Sequence, residues 1–433
     1  MRRILAILFC CAGIVMSTHA FAMLSMELTR GVAGAVPIAI VPFTVEGGTP
    51  PQDVSGIISH DLQNSGRFKV YTGQSVSRDM PMRYFRSIGA DHLVLGKVQH
   101  LGGDHYQVSV ELYEVFKGSD SKTKPSAILN KTFTVTGSEL RALSHHISDL
   151  IYQQITGIRG VFSTKLAYIV VQRPPGQAPR YRLEVSDQDG YNPKPLLNST
   201  APIMSPAWSP NGRQIAYVTF EKKHASIYVQ DVATGYRQLL TDFPGINGAP
   251  AWSPDGRKLA LVLSKGGTPN IYTMDIVTHQ LTQLTRDWSI NTEPDWSPSG
   301  RSIIFTSNRS GGPQIYEYHF ATNSVTRITY DGNYNARASF TPDGKCIVML
   351  NRQSNLFNIG LLDLDTGTFR VLTNSGNDNE SPSMAPNGNM VLYGTLYGGR
   401  GVLGMVANDS SVEIRLPARD GEVQDPAWSP FLS

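Results

Sequence analysis

Cysteine and net charge are both scarce in this chain of 433 residues. The three cysteines are Cys10, Cys11 and Cys346, and the first two sit inside an apolar N-terminal run. Once that run is removed, Cys346 is alone and no internal disulfide can form. Charged residues make up 17% of the chain, with 38 lysines and arginines against 35 acids. A formal charge of +3 gives no basic field suited to nucleic acid. The N-terminal apolar run is too short to span ~30 Å of hydrocarbon, so direct membrane insertion is not expected. Enzyme signatures are missing too. There is no G-x-S-x-G elbow, and Gly73-Gln-Ser-Val-Ser lacks the final glycine. Neither a phosphate-binding G-x-x-x-x-G-K-[ST] loop nor an H-E-x-x-H pair occurs.

What is present begins with an export signal. Arg2 and Arg3 precede the apolar run Ile4–Met16, and Ala20-Phe21-Ala22 forms an A-x-A site, so residues 1–22 read as a signal peptide cleaved after Ala22. Cleavage removes both arginines and lowers the formal charge from +3 by two, to +1. The mature protein is expected to be an exported monomer held together by its core.

Glycine (40) and proline (27) are plentiful, and they recur at a fixed interval. Trp208-Ser-Pro-Asn-Gly, Trp252-Ser-Pro-Asp-Gly, Trp296-Ser-Pro-Ser-Gly, Phe340-Thr-Pro-Asp-Gly, Met384-Ala-Pro-Asn-Gly and Trp428-Ser-Pro each start 44 residues after the last. Each unit reads as four strands, the first turning into the second at the Asn-Gly, Asp-Gly or Ser-Gly pair, chemistry suited to a two-residue hairpin. A four-stranded unit of ~40–45 residues is a propeller blade. Five units are complete. Three unpartnered strands near Leu166, Tyr181 and Lys194, with one orphan strand at Asp425-Pro-Ala-Trp-Ser-Pro, supply a sixth blade built from both ends. Residues 161–433 are therefore expected to form a six-bladed β-propeller of WD40-like repeats, closed so that no sheet edge is left open around the ring.

Residues 23–160 lack the repeat. Met23–Thr29 alternates as an exposed strand does, and Val36–Phe43 reads as a buried strand. Helices are expected over Pro51–Asn64, Ser75–Ile88 and Ser138–Ile155, with strands at Phe68–Tyr71, Asp91–Gly96, Gln107–Phe116 and Leu129–Val135. Mixed in this order they give a small α/β domain. Gly157–Gly160 is the linker.

Candidate chemistry is thin. Asp255 and Asp343 recur in the repeat, but Asn211, Ser299 and Asn387 replace them elsewhere, which marks turn-forming positions. His145, His146 and Asp149 have the residue types of a metal site without a cysteine or further histidine at ligand spacing. Asp187-Gln-Asp-Gly has a faint calcium-loop look but lacks the remaining positions, and a tight turn accounts for it. The residues before each repeat aromatic, Ala207, Ala251, Asp295, Ser339, Ser383 and Ala427, hold one carboxylate among small side chains. No cofactor is implied.

The loops entering the first strands are more informative. Asn247, Asn291, Asn335 and Asn379 recur there, and a turn-capping amide explains them. Two residues on, Ser205, Ala249, Glu293, Arg337, Ser381 and Asp425 vary freely at one equivalent position. Structural needs repeat and a binding surface need not, so this mouth of the channel is the candidate partner site.

Several segments together resemble the TolB family: Val41-Pro-Phe, Asp61-Leu-Gln-Asn-Ser-Gly-Arg-Phe, Gly89-Ala-Asp-His-Leu-Val-Leu-Gly, Val185-Ser-Asp-Gln-Asp-Gly-Tyr-Asn and Met204-Ser-Pro-Ala-Trp-Ser-Pro. The resemblance runs through both domains in order. It implies a non-enzymatic periplasmic scaffold that joins the lipoprotein Pal to the C-terminal domain of TolA, supporting outer-membrane integrity and constriction at division. Other outer-membrane proteins are further candidate partners. It also implies Pal contacts on the propeller mouth, expected at Ser205, Asn247, Asn291, Thr292, Glu293, Asn335, Arg337, Asn379, Glu380 and Asp425. The TolA segment is expected within Met23–Gly34, at Met26, Glu27, Leu28, Thr29 and Arg30, as a strand that adds to a partner's sheet. A periplasmic carbohydrate-active propeller enzyme, lyase-like, is the alternative.

Overall fold

The computed structural model describes residues 24–72, 77–117, 126–373 and 376–432. The expected leader, its cleavage site, Met23 and the expected start of a helix at Ser75 lie outside these residues.

In the first domain β2 (Val36–Ile40) lies between β4 (Phe68–Tyr71) and β5 (His92–Gly102), parallel to both. The antiparallel strands β6 (His105–Glu114) and β7 (Leu129–Thr136) extend that sheet. A short exposed strand β3 (Thr44–Glu46), which no sequence pattern announced, also pairs with β5. Alternation along β2 sends Ile38 and Ile40 into the core under α1 (Val54–Asn64) and α3 (Leu140–Thr156). Ala39 and Val41 pack on the other face with Phe85 of α2 (Met82–Ser87). Asp53 caps α1 by accepting the Gly56 N–H at 3.0 Å, and a Thr136–Glu139 capping box precedes α3. The helix expected over Ser75–Ile88 is only α2, because Pro81 stands at its N-cap and a residue before proline avoids helical backbone.

The second domain is a six-bladed propeller, as the repeat predicts. β8 (Lys165–Gln172), β9 (Arg180–Asp187) and β10 (Lys194–Ser199) form blade one with β31 (Glu422–Trp428), which arrives from the far end of the chain. Trp428 lies opposite Leu166, and its Nε1 donates to Thr164 Oγ1 at 2.8 Å. The other blades are β11–β14, β15–β18, β19–β22, β23–β26 and β27–β30, over 203–241, 247–283, 291–327, 335–371 and 379–416. Their innermost strands are β11 (Ile203–Trp208), β15 (Asn247–Trp252), β19 (Asn291–Trp296), β23 (Asn335–Phe340) and β27 (Asn379–Met384).

The repeated tryptophans tie each blade to the one before. Trp208, Trp252 and Trp296 donate from Nε1 to the carbonyls of Ala427, Ala207 and Ala251, at 3.2, 3.0 and 3.2 Å. Phe340 has no such donor. There the preceding blade's Asp295 accepts the Phe340 backbone N–H at 3.0 Å.

The turn after each aromatic differs from the expected two-residue hairpin. Gly212 N–H donates to Ser209 O at 2.9 Å, and only the glycine, at φ 68°, is left-handed. Pro210 cannot take the positive φ of a primed turn, so Ser-Pro-Asn-Gly folds as a proline-led turn. Ser209 Oγ then accepts Gln214 N–H at 2.9 Å and Asn211 Oδ1 accepts Arg213 N–H at 3.0 Å. Asp255 and Asp343 make the same bonds, to Arg257 N and Lys345 N at 3.1 Å each, which gives both carboxylates a turn role.

The N-terminal segment departs most from expectation. β1 (Glu27–Arg30) is not a free strand; it pairs antiparallel with β30 (Glu413–Leu416) as a fifth strand of the last blade. Leu28 lies opposite Ile414, and Arg30 and Glu27 approach Glu413 and Arg415 at 3.4 and 3.8 Å. Leu24 is 2% exposed and packs among blade residues that include Leu416 and Val161. Among the described residues no helix is long and apolar enough to cross a membrane.

Candidate functional site

The innermost strands enclose a channel of about 680 Å³, lined at one end by Ser205, Ala249, Glu293, Arg337, Ser381 and Asp425 and at the other by the Ser-Pro turns. All six of those residues are left-handed, with φ between 46° and 53°. Each sits where the pairing of its strand with the next slips by a residue, as between Gly248 and Ala251 or Thr292 and Asp295. A bulge re-aims a side chain, and for residues other than glycine the left-handed backbone costs about 1–2 kcal/mol each. The rigid blades on either side hold that strain six times over. Nothing in the residue types Ser, Ala, Glu, Arg and Asp announces this conformation from sequence.

Four of the six are linked. Glu293 Oε1 accepts from Arg337 Nε at 2.8 Å, and Oε2 accepts from Arg337 N at 3.0 Å and Thr306 Oγ1 at 2.9 Å. Arg337 Nη1 also binds Ser381 Oγ, which donates to Asp425 Oδ1 at 2.8 Å. Asp425 lies 3.6 Å from Arg337. Ser205 and Ala249 carry no charge, and beside them Met204, Val218, Phe220, Ala225 and Ile246 line an apolar recess of about 340 Å³. The mouth is thus two-sided, charged over β19 to β31 and apolar over β11 and β15. Deeper in, loss of solvation pushes the Asp295 carboxyl up to about 7 against the hydrogen bonds from Phe340 N and Trp296 N.

The four asparagines do not face this mouth. Asn247, Asn291, Asn335 and Asn379 are each no more than 1% exposed. Asn247 bridges Phe243 O and Phe243 N, Asn335 donates to Gln314 Oε1 and Asp331 O, and Asn379 donates to Phe357 O. Asn291 accepts from Arg309 Nη2 and donates to Asp287 Oδ1. Their amides hold the loops, as the capping explanation has it. Of the expected mouth residues, Ser205, Thr292, Glu293, Arg337, Glu380 and Asp425 keep accessible surface. Sequence reading missed the apolar rim on the same loops: Trp288 is 91% exposed, and Ile246, Ile290 and Tyr330 are exposed as well. An aromatic inside a polar turn such as Asp287-Trp288-Ser289 was the available signal.

At the second expected surface, Thr29 Oγ1 donates to Glu413 O at 2.9 Å, while Met26 and Leu28 pack on the blade. β1 ends its five-stranded sheet, and no strand among the described residues pairs with its outer edge. Both expected surfaces therefore lie on the propeller, one at the channel and one at a blade edge.

A small α/β domain seated on a closed six-bladed propeller, with a strained, variable ring at one channel mouth, is the architecture of a two-domain propeller protein. Residues 152–432 match the family model of the TolB beta propeller domain and residues 24–121 that of the TolB amino-terminal domain. The chain belongs to the TolB family. The Tol-Pal system protein TolB of Coxiella burnetii is 51% identical over 238 residues, covering 53% of this chain and 53% of that protein. Its counterpart in Nitrosococcus oceani is 44% identical over 253 residues, 57% of each. The chain spans about half the length of the curated relatives it matches. The crystal structure of TolB from Acinetobacter baumannii is similar with a TM-score of 0.86 at 39% identity, covering 94% of this chain and 100% of that one.

Proposed function

We propose that this protein is a non-enzymatic periplasmic scaffold of the Tol–Pal system, exported by a signal peptide cleaved after Ala22. It docks the lipoprotein Pal on the channel mouth and engages the C-terminal domain of TolA through the segment around Met26–Arg30, so that the outer membrane stays attached and constricts at division. The observation that carries this reading is the ring at 205, 249, 293, 337, 381 and 425: one strained backbone geometry repeated six times, with side chains that differ at nearly every blade. Ala249 and Ser205 reach the same backbone without a charge, so the geometry does not dictate one side chain. The apolar rim of Ile246, Trp288 and Ile290 beside the charged arc of Glu293, Arg337 and Asp425 suits a protein partner, which presents both kinds of surface. TolA would add a strand to the outer edge of β1.

Calorimetric titration of the mature protein with soluble Pal and, separately, with cell-wall glycans tests the reading. Saturable Pal binding that Trp288→Ala weakens is the expected result. Glycan turnover without Pal binding would favour the lyase-like alternative.

A further inference from the structure

The junction between the domains holds a buried charged cluster that takes no part in the channel. Asp61 of α1 and His145 of α3 are each 3% exposed, and His145 Nδ1 meets Asp61 Oδ2 at 2.8 Å. Ser148 Oγ donates to the same oxygen at 2.7 Å. From the propeller, the turn after β9 brings Asp187 and Asp189. Arg141 of α3 binds both, with Nε 2.9 Å from Asp187 Oδ2 and Nη2 on Asp189 Oδ2, and its guanidinium lies 3.8 Å from the centre of the Tyr191 ring. Lys165 of β8 binds Asp187 Oδ1. A ring nitrogen of His145 and one oxygen each from Asp187 and Asp189 lie within 4.8 Å of one another. Exposed His60 also places a ring nitrogen within 4.8 Å of oxygens of Asp61 and Asp189, and the Asp149 carboxylate accepts Phe162 N and Ser163 N.

This cluster does not balance with a neutral histidine. Three carboxylates, Asp61, Asp187 and Asp189, face two permanent cations, Arg141 and Lys165. His145 Nε2 and Asp61 Oδ1 are both buried with no hydrogen-bond partner. A neutral ring donating from Nδ1 to Asp61 would leave a buried lone pair on Nε2 toward carboxylates, which is unfavourable twice over. One proton on Nε2 supplies the missing charge and sets an N–H, in place of a lone pair, near the Asp187 and Asp189 carboxylates, at Coulombic rather than hydrogen-bonding range. A divalent cation would bring two charges where one is missing, and would compete with Arg141 and Lys165 for the same oxygens.

We propose that His145 is held as an imidazolium that clamps the two domains together, with Asp61 on one side and Asp187 and Asp189 on the other, and that loss of its proton loosens the junction. Burial pulls the imidazole pKa down, but the hydrogen bond and charge of Asp61, with Asp189 adding, outweigh it and Arg141 and raise it above 6.5. A histidine raised on folding lends stability that is complete below its unfolded pKa and is lost as pH climbs through the folded one. The clamp is therefore tight in acid and weakens toward alkaline pH.

Side-chain nitrogen NMR of the full mature chain tests this, with hydrogen exchange along α3 followed from pH 6 to 9. The expected results are a doubly protonated His145 at pH 6.5 and an opening constant for α3 that rises by up to about tenfold per pH unit between the unfolded and folded pKa values and levels off above the folded one. His145→Gln should flatten that dependence, and Asp61→Asn should lower the His145 pKa. A singly protonated ring at pH 6.5 overturns the proposal. So does stoichiometric Zn²⁺ binding that His145→Gln abolishes, which would make the cluster a metal site instead. The NMR observation is made on the unmodified protein and does not depend on either variant folding.

Discussion

Arg337 holds Glu293 twice, from its side-chain Nε at 2.8 Å and from its own backbone N–H at 3.0 Å. Other blades tolerate Ala249 and Ser381 at the same place, which by itself suggests that the propeller has no use for a carboxylate there. The structure shows otherwise: the carboxylate secures the left-handed backbone of the next blade. Glu293→Lys should therefore weaken Pal binding and also cost about 1–2 kcal/mol of stability, since a partly exposed pair is lost and two cations are left facing each other. Glu293→Gln, which keeps an acceptor for Arg337 N, should recover most of the stability. Calorimetry against Pal and thermal melts followed by circular dichroism separate the two effects. Full Pal affinity in both Glu293→Lys and Thr292→Arg would remove the mouth as the Pal site.

The architecture was readable because the repeat is strict. A 44-residue period with Ser-Pro-Asp-Gly chemistry leaves little but a propeller, and the orphan strand at Asp425 predicts the closure that β31 makes with β8. The ring positions were visible as variation, but their left-handed backbone was not, because it arises from bulges between strands and not from residue type. β1 was misplaced for a related reason. Alternation along Met23–Thr29 identifies a strand and says nothing of which edge it joins, and the partner, β30, lies almost 390 positions away in the chain. Asp187 and Asp189 read as a plain turn because their partner, Arg141, belongs to the other domain.

Reductant should leave the protein unchanged. Cys346 is the free cysteine among the described residues, partly buried, with burial and the nearby Asp363 and Asp343 raising its thiol pKa. Thermal melts with and without dithiothreitol should superimpose. A fall of many degrees would mean a disulfide joins two chains, and size-exclusion chromatography would show the dimer.

Deleting residues 425–433 should abolish cooperative folding of the propeller. The deletion takes most of β31, including the 5%-exposed Trp428 with its bond to Thr164 and the packing it shares with Leu166 and Leu403. Losing a buried tryptophan alone costs about 3–5 kcal/mol, and an open inner edge on β8 would add to it. A cooperative melt at the original temperature would show that the ring closes by another route.

The N-terminal segment separates the two proposed interfaces. Removing residues 24–34 takes away β1, uncovers the edge of β30 and exposes blade residues now under Leu24, Met26 and Leu28. The melt should fall by a few degrees, since buried apolar side chains of this size contribute about 1.5–3 kcal/mol each before the entropy of ordering the segment is subtracted. TolA binding should drop sharply and Pal binding should persist, because the channel ring is built from inner strands while β1 lies at the outer edge of one blade. Gly190→Ala is the gentler variant. Gly190 sits at φ 81° against Leu24, where an added Cβ would collide with the Leu24 Cβ and come within 3.0 Å of its carbonyl oxygen. That substitution should unseat Leu24 while leaving Met26–Arg30 in the chain. If TolA engages only the outer edge of a seated β1, Gly190→Ala should weaken its binding severalfold; if TolA takes the segment after it leaves the blade, the same variant should strengthen binding. Titration of both variants against TolA and Pal, with circular dichroism to verify folding, distinguishes the two. Unchanged TolA affinity after removal of residues 24–34 would place its site elsewhere.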